Sequence, residues 1–341
     1  MGSGGFRKRT GADLPLVYDN VSSGHRANYV RLFAALVGGE GKIGPYWRNL
    51  VRLVLCPSLM IPSFEGSPRR NLAIIMARIL LRRRTAVLFL RAHLIEHRRG
   101  IPRFVHRAAL RIMGTDERVL PISIVGNENL QRMCPRIQVI ADPEFWDYEF
   151  APPAVSDQRL MREVRARAGN RKILLVAGSI TADKAVGELG KIFACSPALS
   201  DAFFPVLAGS VHPNAVAGCA FVSEHGLKLD GPIDDSTFRS LFEAADFAWC
   251  AYGPRRDMSS GILGRCIQSS VIPIVRRMSV AEGLARTWTD VIAVDFSDPQ
   301  ASAKELLSLS HQPSPVDHSE LRAEGHRVQQ MLREFLYQGL R

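Results

Sequence analysis

Long apolar runs are missing. Although 46% of the 341 residues are hydrophobic, no stretch reaches the roughly 18–20 apolar residues that a helical membrane span requires. The opening segment, Met1 to Thr10, has no apolar core of a secretory signal, and Phe6 stands where N-myristoylation wants Ser or Thr. Residues 1–12 read as a flexible leader. Cysteine is sparse: Cys56, Cys134, Cys195, Cys219, Cys250 and Cys266 include no C-x-x-C pair. That excludes a disulfide framework at this length and leaves reduced, buried thiols of a cytosolic protein as the expectation. Zinc-finger, RNA-binding aromatic and helix-turn-helix signatures are also absent, so no nucleic-acid partner is expected.

Acid is scarce in only one half of the chain. Residues 1–150 carry 23 Lys and Arg against 12 Asp and Glu, whereas residues 151–341 carry 21 of each. The whole net charge of +11 therefore belongs to the first half, with local clusters at Arg82-Arg83-Arg84 and Arg98-Arg99. Such an excess suits an anionic membrane surface or an acidic substrate once nucleic acid is set aside. Basic residues interleaved with Leu, Ile and Met over 69–84 fit a helix lying on a membrane face. A solvated helix face is the plainer alternative.

What is present is an alternation of strands and helices. In the first half, strands are expected at 14–18, 59–64, 86–90, 119–125 and 137–141. Helices are expected at 25–36, 46–55, 70–81 and 102–113, with another beginning near Asn127. Ala151-Pro152-Pro153 breaks the periodicity and marks a boundary between domains at 13–150 and 151–341. Beyond it, strands are expected at 172–177, 204–208, 219–222, 227–229, 247–251, 271–275 and 291–294. Helices are expected at 185–195, 236–244, 261–269 and 319–337. Alternation of this kind implies an α/β protein with parallel sheets in both halves.

The chemistry concentrates after the apolar run 172–177. A strand buried on both faces is followed by Gly178, Ser179 and, six residues after the glycine, Lys184. Loops at the carboxyl edge of a parallel sheet are where α/β proteins bind ligands, and backbone N–H groups with one lysine suit a phosphate. Ser259-Ser260-Gly261 opens a helix; it is a preferred cap sequence, and the donors of a cap are those of an anion site. Arg255 and Arg256 precede it on the same loop. In the first half, Gly24, His25 and Arg26 open a helix after the first strand, and His93 follows the strand at 86–90. His93-Leu94-Ile95-Glu96-His97 also matches the H-x-x-E-H zinc pattern. Gly100 and Pro102 cut off the helix that pattern needs, so no metal site is expected.

In order, these segments resemble the GT-B glycosyltransferases, in particular the retaining bacterial polysaccharide and lipopolysaccharide group. Gly178 to Lys184 resembles the family's Gly-Arg-x-x-x-x-Lys loop. Leu207-Ala208-Gly209 resembles its strand toward the nucleobase, Gly231-Pro232 its base-contacting loop, and Ser259-Ser260-Gly261 with Ile272-Pro273-Ile274-Val275 its donor loop, helix and strand. Ser23-Gly24-His25-Arg26, Arg91-Ala92-His93 and Val139 to Pro143 match more loosely. The resemblance covers about two-thirds of the chain and implies two Rossmann-like domains facing a cleft: a basic acceptor domain, then a donor domain. It implies a nucleotide-diphosphate sugar as substrate, no separate cofactor, and a carbohydrate or lipid-linked acceptor. Gly178, Ser179, Lys184, Gly231, Arg255, Arg256, Ser259, Ser260 and Gly261 would face the donor. His93 would be catalytic, and Gly24, His25 and Arg26 would lie on the acceptor side. The setting implied is cytoplasmic, on the inner face of a membrane. The departures are Ser179 in place of the loop arginine, and Met258 and Cys266 in place of the family's paired glutamates. They leave open an inactive partner subunit on the same fold and, more remotely, a nucleotide-sugar 2-epimerase.

Overall fold

The computed structural model describes residues 14–21, 25–92, 101–126, 128–151, 154–308 and 316–338. They form two six-stranded sheets with helices between the strands, and every hydrogen-bonded strand pair is parallel. The first half contributes β1 (Leu16–Asp19), α1 (His25–Val37), β2 (Glu40–Ile43), α2 (Tyr46–Leu55), β3 (Ser58–Ile61), α3 (Pro68–Leu80), β4 (Arg84–Phe89), α4 (Ile101–Thr115), β5 (Val119–Ser123), α5 (Glu128–Met133) and β6 (Gln138–Val139). After α6 (Gln158–Ala168) come β7 (Lys172–Ala177), α7 (Val186–Ala194), α8 (Ala198–Ala202), β8 (Phe203–Gly209), α9 (Ala220–His225), β9 (Leu227–Asp230), α10 (Asp235–Ala244) and β10 (Phe247–Trp249). The chain ends with α11 (Gly261–Gln268), β11 (Ile272–Arg276), α12 (Val280–Ala285), β12 (Ile292–Val294), α13 (Pro299–Leu307) and α14 (His318–Tyr337).

Strand order is β2-β1-β3-β4-β5-β6 in the first sheet and β12-β11-β10-β7-β8-β9 in the second. In each, the chain leaves the first strand of the unit in one direction and later returns to its other side. The points of reversal lie between β1 and β3, and between β7 and β10. At such points the loops diverge and leave a crevice at the carboxyl ends of the strands. Strands β7 and β8 are unbroken apolar runs because both faces are covered: Ile173–Ala177 and Phe203–Gly209 are buried throughout. Five helix starts in the second unit, those of α6 and α10 to α13, carry side-chain caps. Asp157, Asp234, Ser260, Ser279 and Asp298 each accept a backbone N–H two or three residues on.

Two compact units are formed, but neither is one continuous stretch. Met1–Pro143, Glu149–Ala151 and Arg322–Arg341 make the first, and Glu144–Tyr148 with Pro152–Leu321 make the second. This differs twice from a simple division into 13–150 and 151–341. Residues 144–148 join the second unit because α11 holds them. Arg265 makes a bidentate pair with Asp147 at 2.7 and 2.8 Å, and Gln268 Nε2 donates to Glu144 O at 2.7 Å. Gly264 permits the approach, since a Cβ there would stand 2.4 Å from Glu144 O. The end of α14 joins the first unit because it satisfies the final carbonyls of α1. Arg333 Nε donates to Leu36 O at 2.8 Å and Tyr337 Oη to Val37 O at 2.8 Å.

One expected strand, 219–222, is helical instead: a 3-10 turn at Ala217–Cys219 runs into α9. β8 and β9 are parallel neighbours and so need a crossover between them. Gly218 lets that crossover lie close to Gly187 of α7, where a Cβ would meet its nitrogen at 2.8 Å.

Candidate functional site

The loop after β7 is folded back on its own strand. Gly178 takes φ +87°, a left-handed conformation that favours glycine. A short 3-10 turn, Ala182–Lys184, then leads through left-handed Ala185 into α7. Two contacts from the β10 side fix this turn: Trp249 Nε1 donates to Lys184 O at 2.8 Å, and Gly253 N to Asp183 O at 2.8 Å. Lys184 is thereby held with its side chain buried and its ammonium donating to Ala177 O. A Cβ on Gly178 would stand 3.4 Å from Nζ and 3.5 Å from Ile262 Cδ1. The glycine therefore leaves Lys184 close to the first turn of α11.

Tyr252 completes the arrangement. Its ring lies 5.5 Å from Lys184 Nζ and 5.4 Å from the Arg256 guanidinium carbon, and its hydroxyl donates to Ser260 Oγ at 2.9 Å. Ser260 Oγ in turn accepts Leu263 N at 3.3 Å, capping α11. Two cations and a helix start thus surround one aromatic ring. Burial pushes the Tyr252 phenol up, so it stays a neutral donor. Burial pushes Lys184 down to about 8, opposed by Cys250 and assisted by the positive charge of Arg256. Among the described residues, neither Lys184 nor Arg256 is ion-paired with a carboxylate. The nearby Asp257 is engaged by Arg276 at 3.2 Å and by Val280 N at 2.7 Å.

The structure therefore brings Gly178, Lys184, Arg256, Ser260 and Gly261 into one place at the second point of reversal, with buried Ser259 beside them. Three donor-side expectations fall outside that cluster. Ser179 turns toward the β8 loop and bonds His212 Nε2 at 3.0 Å. Arg255 is exposed. Gly231, at φ +118°, lines a separate opening of about 490 Å³ with Asp157, Arg159, Glu163 and Thr237. Tyr252 carries no signal in the sequence, because an aromatic three residues past a strand has no phosphate-binding signature. Cys266, where a glutamate was sought, is fully buried with its sulfur 3.7 Å from that of Cys250.

At the first point of reversal the chemistry differs. His93 and Gly24 lie outside the described residues, as does the H-x-x-E-H segment. His25 heads α1, with its side chain outside the described set. Arg26 is committed to an ion pair rather than left open: Nε donates to Asp19 Oδ2 at 3.0 Å and Nη2 to Asn20 Oδ1 at 3.0 Å. Gly66 makes room for it, since a Cβ there would fall 1.7 Å from Arg26 Nη2. Glu65, also unforeseen, accepts Leu90 N at 3.2 Å and Arg91 N at 2.8 Å, fixing the chain as it leaves β4. Burial raises the Asp19 carboxyl, against the lowering effects of Val21 N and Arg26.

No family model and no curated protein matches the sequence. Solved structures do match its fold. HepE of Anabaena in complex with UDP superposes with a TM-score of 0.61 at 10% identity, over 95% of each chain. The fold is GT-B. WaaG, described as a glycosyltransferase involved in lipopolysaccharide biosynthesis, gives 0.53 at 12% identity over 94% of this chain and 95% of its own. MnaA of S. aureus, solved with UDP, gives 0.53 at 12% over 92% and 90%. The GT-B architecture thus accounts for both parallel sheets.

Proposed function

We propose that this GT-B chain is a glycosyltransferase that moves a sugar from a nucleotide-diphosphate donor to a carbohydrate or lipid-linked acceptor in polysaccharide or cell-envelope synthesis. The observation that carries this is the cluster around Tyr252: Lys184, Arg256 and the start of α11 converge, and among the described residues no carboxylate is ion-paired with either cation. Glycosyl transfer from such a donor leaves growing negative charge on the departing diphosphate. Preorganised cations and helix N–H groups stabilise that charge in the transition state more than in the bound donor. Lys184 and Arg256 would supply the charge, and the amides of Gly261 and Ile262, ahead of the capped Leu263 N, the hydrogen bonds. The first unit would present the acceptor, with Asp19, Arg26 and Glu65 shaping its crevice. UDP bound to HepE and MnaA supports the choice of nucleotide.

Isothermal titration with UDP, followed by donor hydrolysis assays across common sugar nucleotides, tests the proposal. Saturable UDP binding with turnover is expected; absence of both overturns it. One observation favours a second reading, a non-catalytic binding subunit: α11 carries neither Asp nor Glu, and Cys266 is buried on it. Binding without any turnover is the outcome that selects that reading.

A further inference from the structure

Helix α2 buries Tyr46, Asn49 and Leu53 and turns the opposite side outward. That side carries Trp47 (74% exposed), Leu50 (50%), Val51 (71%) and Leu55 (54%), which follow helical spacing. Helix α3, packed beside it, exposes Met76 and Leu80, with Leu81 just past its end. Helix α4, packed on α3, exposes Phe104 at 75%. Water-facing helix surfaces normally carry charged residues at such positions, and a contiguous apolar patch marks an interaction surface.

The charges on the same helices are of one sign. α2 holds Arg48 and Arg52, α3 holds Arg69, Arg70 and Arg78, and α4 holds Arg103, Arg107 and Arg111, with no Asp or Glu in any of them. Arg78 is buried beneath the surface and Arg52 is paired with Glu40, but Arg48, Arg69, Arg70 and Arg111 are exposed. Just past α3, Arg82, Arg83, Arg84 and Arg118 line an opening of about 270 Å³. Much of the net positive charge of the first half is therefore gathered around one apolar face.

We infer that the outward face of α2 and α3 docks on an anionic lipid bilayer, with Trp47, Leu50, Val51 and Leu80 entering the interface and Arg82 to Arg84 meeting lipid phosphates. A second copy of the chain fits poorly, because two such faces would bring like charges together. Trp and basic residues around aliphatic side chains are the composition of an interfacial helix, and each cation near an anionic surface adds attraction. The inference does not depend on the glycosyltransferase reading, since lipid binding requires no nucleotide.

Flotation of the full chain with phosphatidylcholine vesicles, with and without phosphatidylglycerol, decides it. The wild type is expected to float only with phosphatidylglycerol, to be released by salt, and to show a blue shift in tryptophan emission that Trp47→Phe removes. Leu50→Glu/Val51→Glu and Arg82→Glu/Arg83→Glu should each weaken partitioning by about tenfold or more. Both pairs are exposed, so melting temperatures should stay near that of the wild type. No flotation, equal flotation on the neutral vesicles, or flotation unaffected by Leu50→Glu/Val51→Glu overturns the inference. So does a dimer in the absence of lipid that Leu50→Glu/Val51→Glu dissociates.

Discussion

The two units use the same backbone device and fill it with opposite electrostatics. Each sheet is parallel and six-stranded, and each opens a crevice where the chain reverses direction. In the first unit that crevice holds a cation already neutralised: Arg26 is paired with the buried Asp19. In the second, Lys184 and Arg256 share an aromatic ring, and among the described residues neither is paired with a carboxylate. A parallel sheet with loops at its carboxyl edge supplies a place, and the local count of carboxylates decides which ligand it suits. Under the proposed function, the neutral pair would meet a hydroxylated acceptor and the uncompensated pair the donor diphosphate.

The comparison breaks most clearly at the two cations. Arg26→Met should strand the buried Asp19 carboxylate and cost about 3 kcal/mol of stability, read by chemical denaturation, while UDP affinity is retained. Asp19 already has a raised carboxyl pKa, and losing Arg26 raises it further. A raised carboxyl pKa contributes stability that is present in acid and lost as pH rises through the folded value. The deficit of Arg26→Met should therefore shrink as pH is lowered toward the carboxyl range. Lys184→Met should do the reverse. UDP affinity should fall about tenfold to a hundredfold, with stability unchanged or raised by about 1 kcal/mol, because an isolated buried charge is replaced by an apolar side chain. Equal loss of stability in both variants would erase the distinction between the crevices.

A smaller effect sharpens it. Lys184 is pushed down to about 8, so UDP affinity should decline as pH rises from 7 to 9 and the ammonium loses its proton. In Lys184→Met that slope should vanish, and titration calorimetry across this range reads both. The corresponding stability effect has the opposite sign. The unfolded lysine keeps its proton to higher pH, so the folded state gains stability as pH rises from about 8 toward 10.5. Smallest is Gly178→Ala. It forces an L side chain to φ +87° and costs about 1–2 kcal/mol, with a modest loss of UDP affinity because the methyl group stands against Lys184 Nζ.

The parts legible in the sequence were those with unbroken apolar runs. β7 and β8 read correctly because burial on both faces leaves no room for polar residues. β2 was invisible: Glu40-Gly41-Lys42-Ile43 is an edge strand, half-exposed, with no apolar pattern. α6 gives little signal in the sequence because its exposed face is nearly all charged and only Val164 and Ala168 are buried. At the site, the glycine, lysine and serine cap could be found from their order along the chain. Tyr252 could not, since its role depends on being reached from both the β7 loop and α11. The burial of Lys184 was equally hidden, because a lysine in a loop reads as solvated until the turn around it is known.

The return of α14 to the first unit governs how the chain is made. That unit contains residues from Arg322 onward, and these cover the end of α1 and bond Ser58 through Leu336 O. A ribosome releases them after the rest of both units. Domains usually mature in order of synthesis, but here the second unit has its whole sequence available first, and the earlier-made sheet must wait for the closing helix. A nascent chain stalled before Arg322 would hold a folded second unit beside an unfinished first one with α1's final carbonyls unmet. Chaperone capture and proteolysis should therefore strike the amino-terminal half until α14 has emerged.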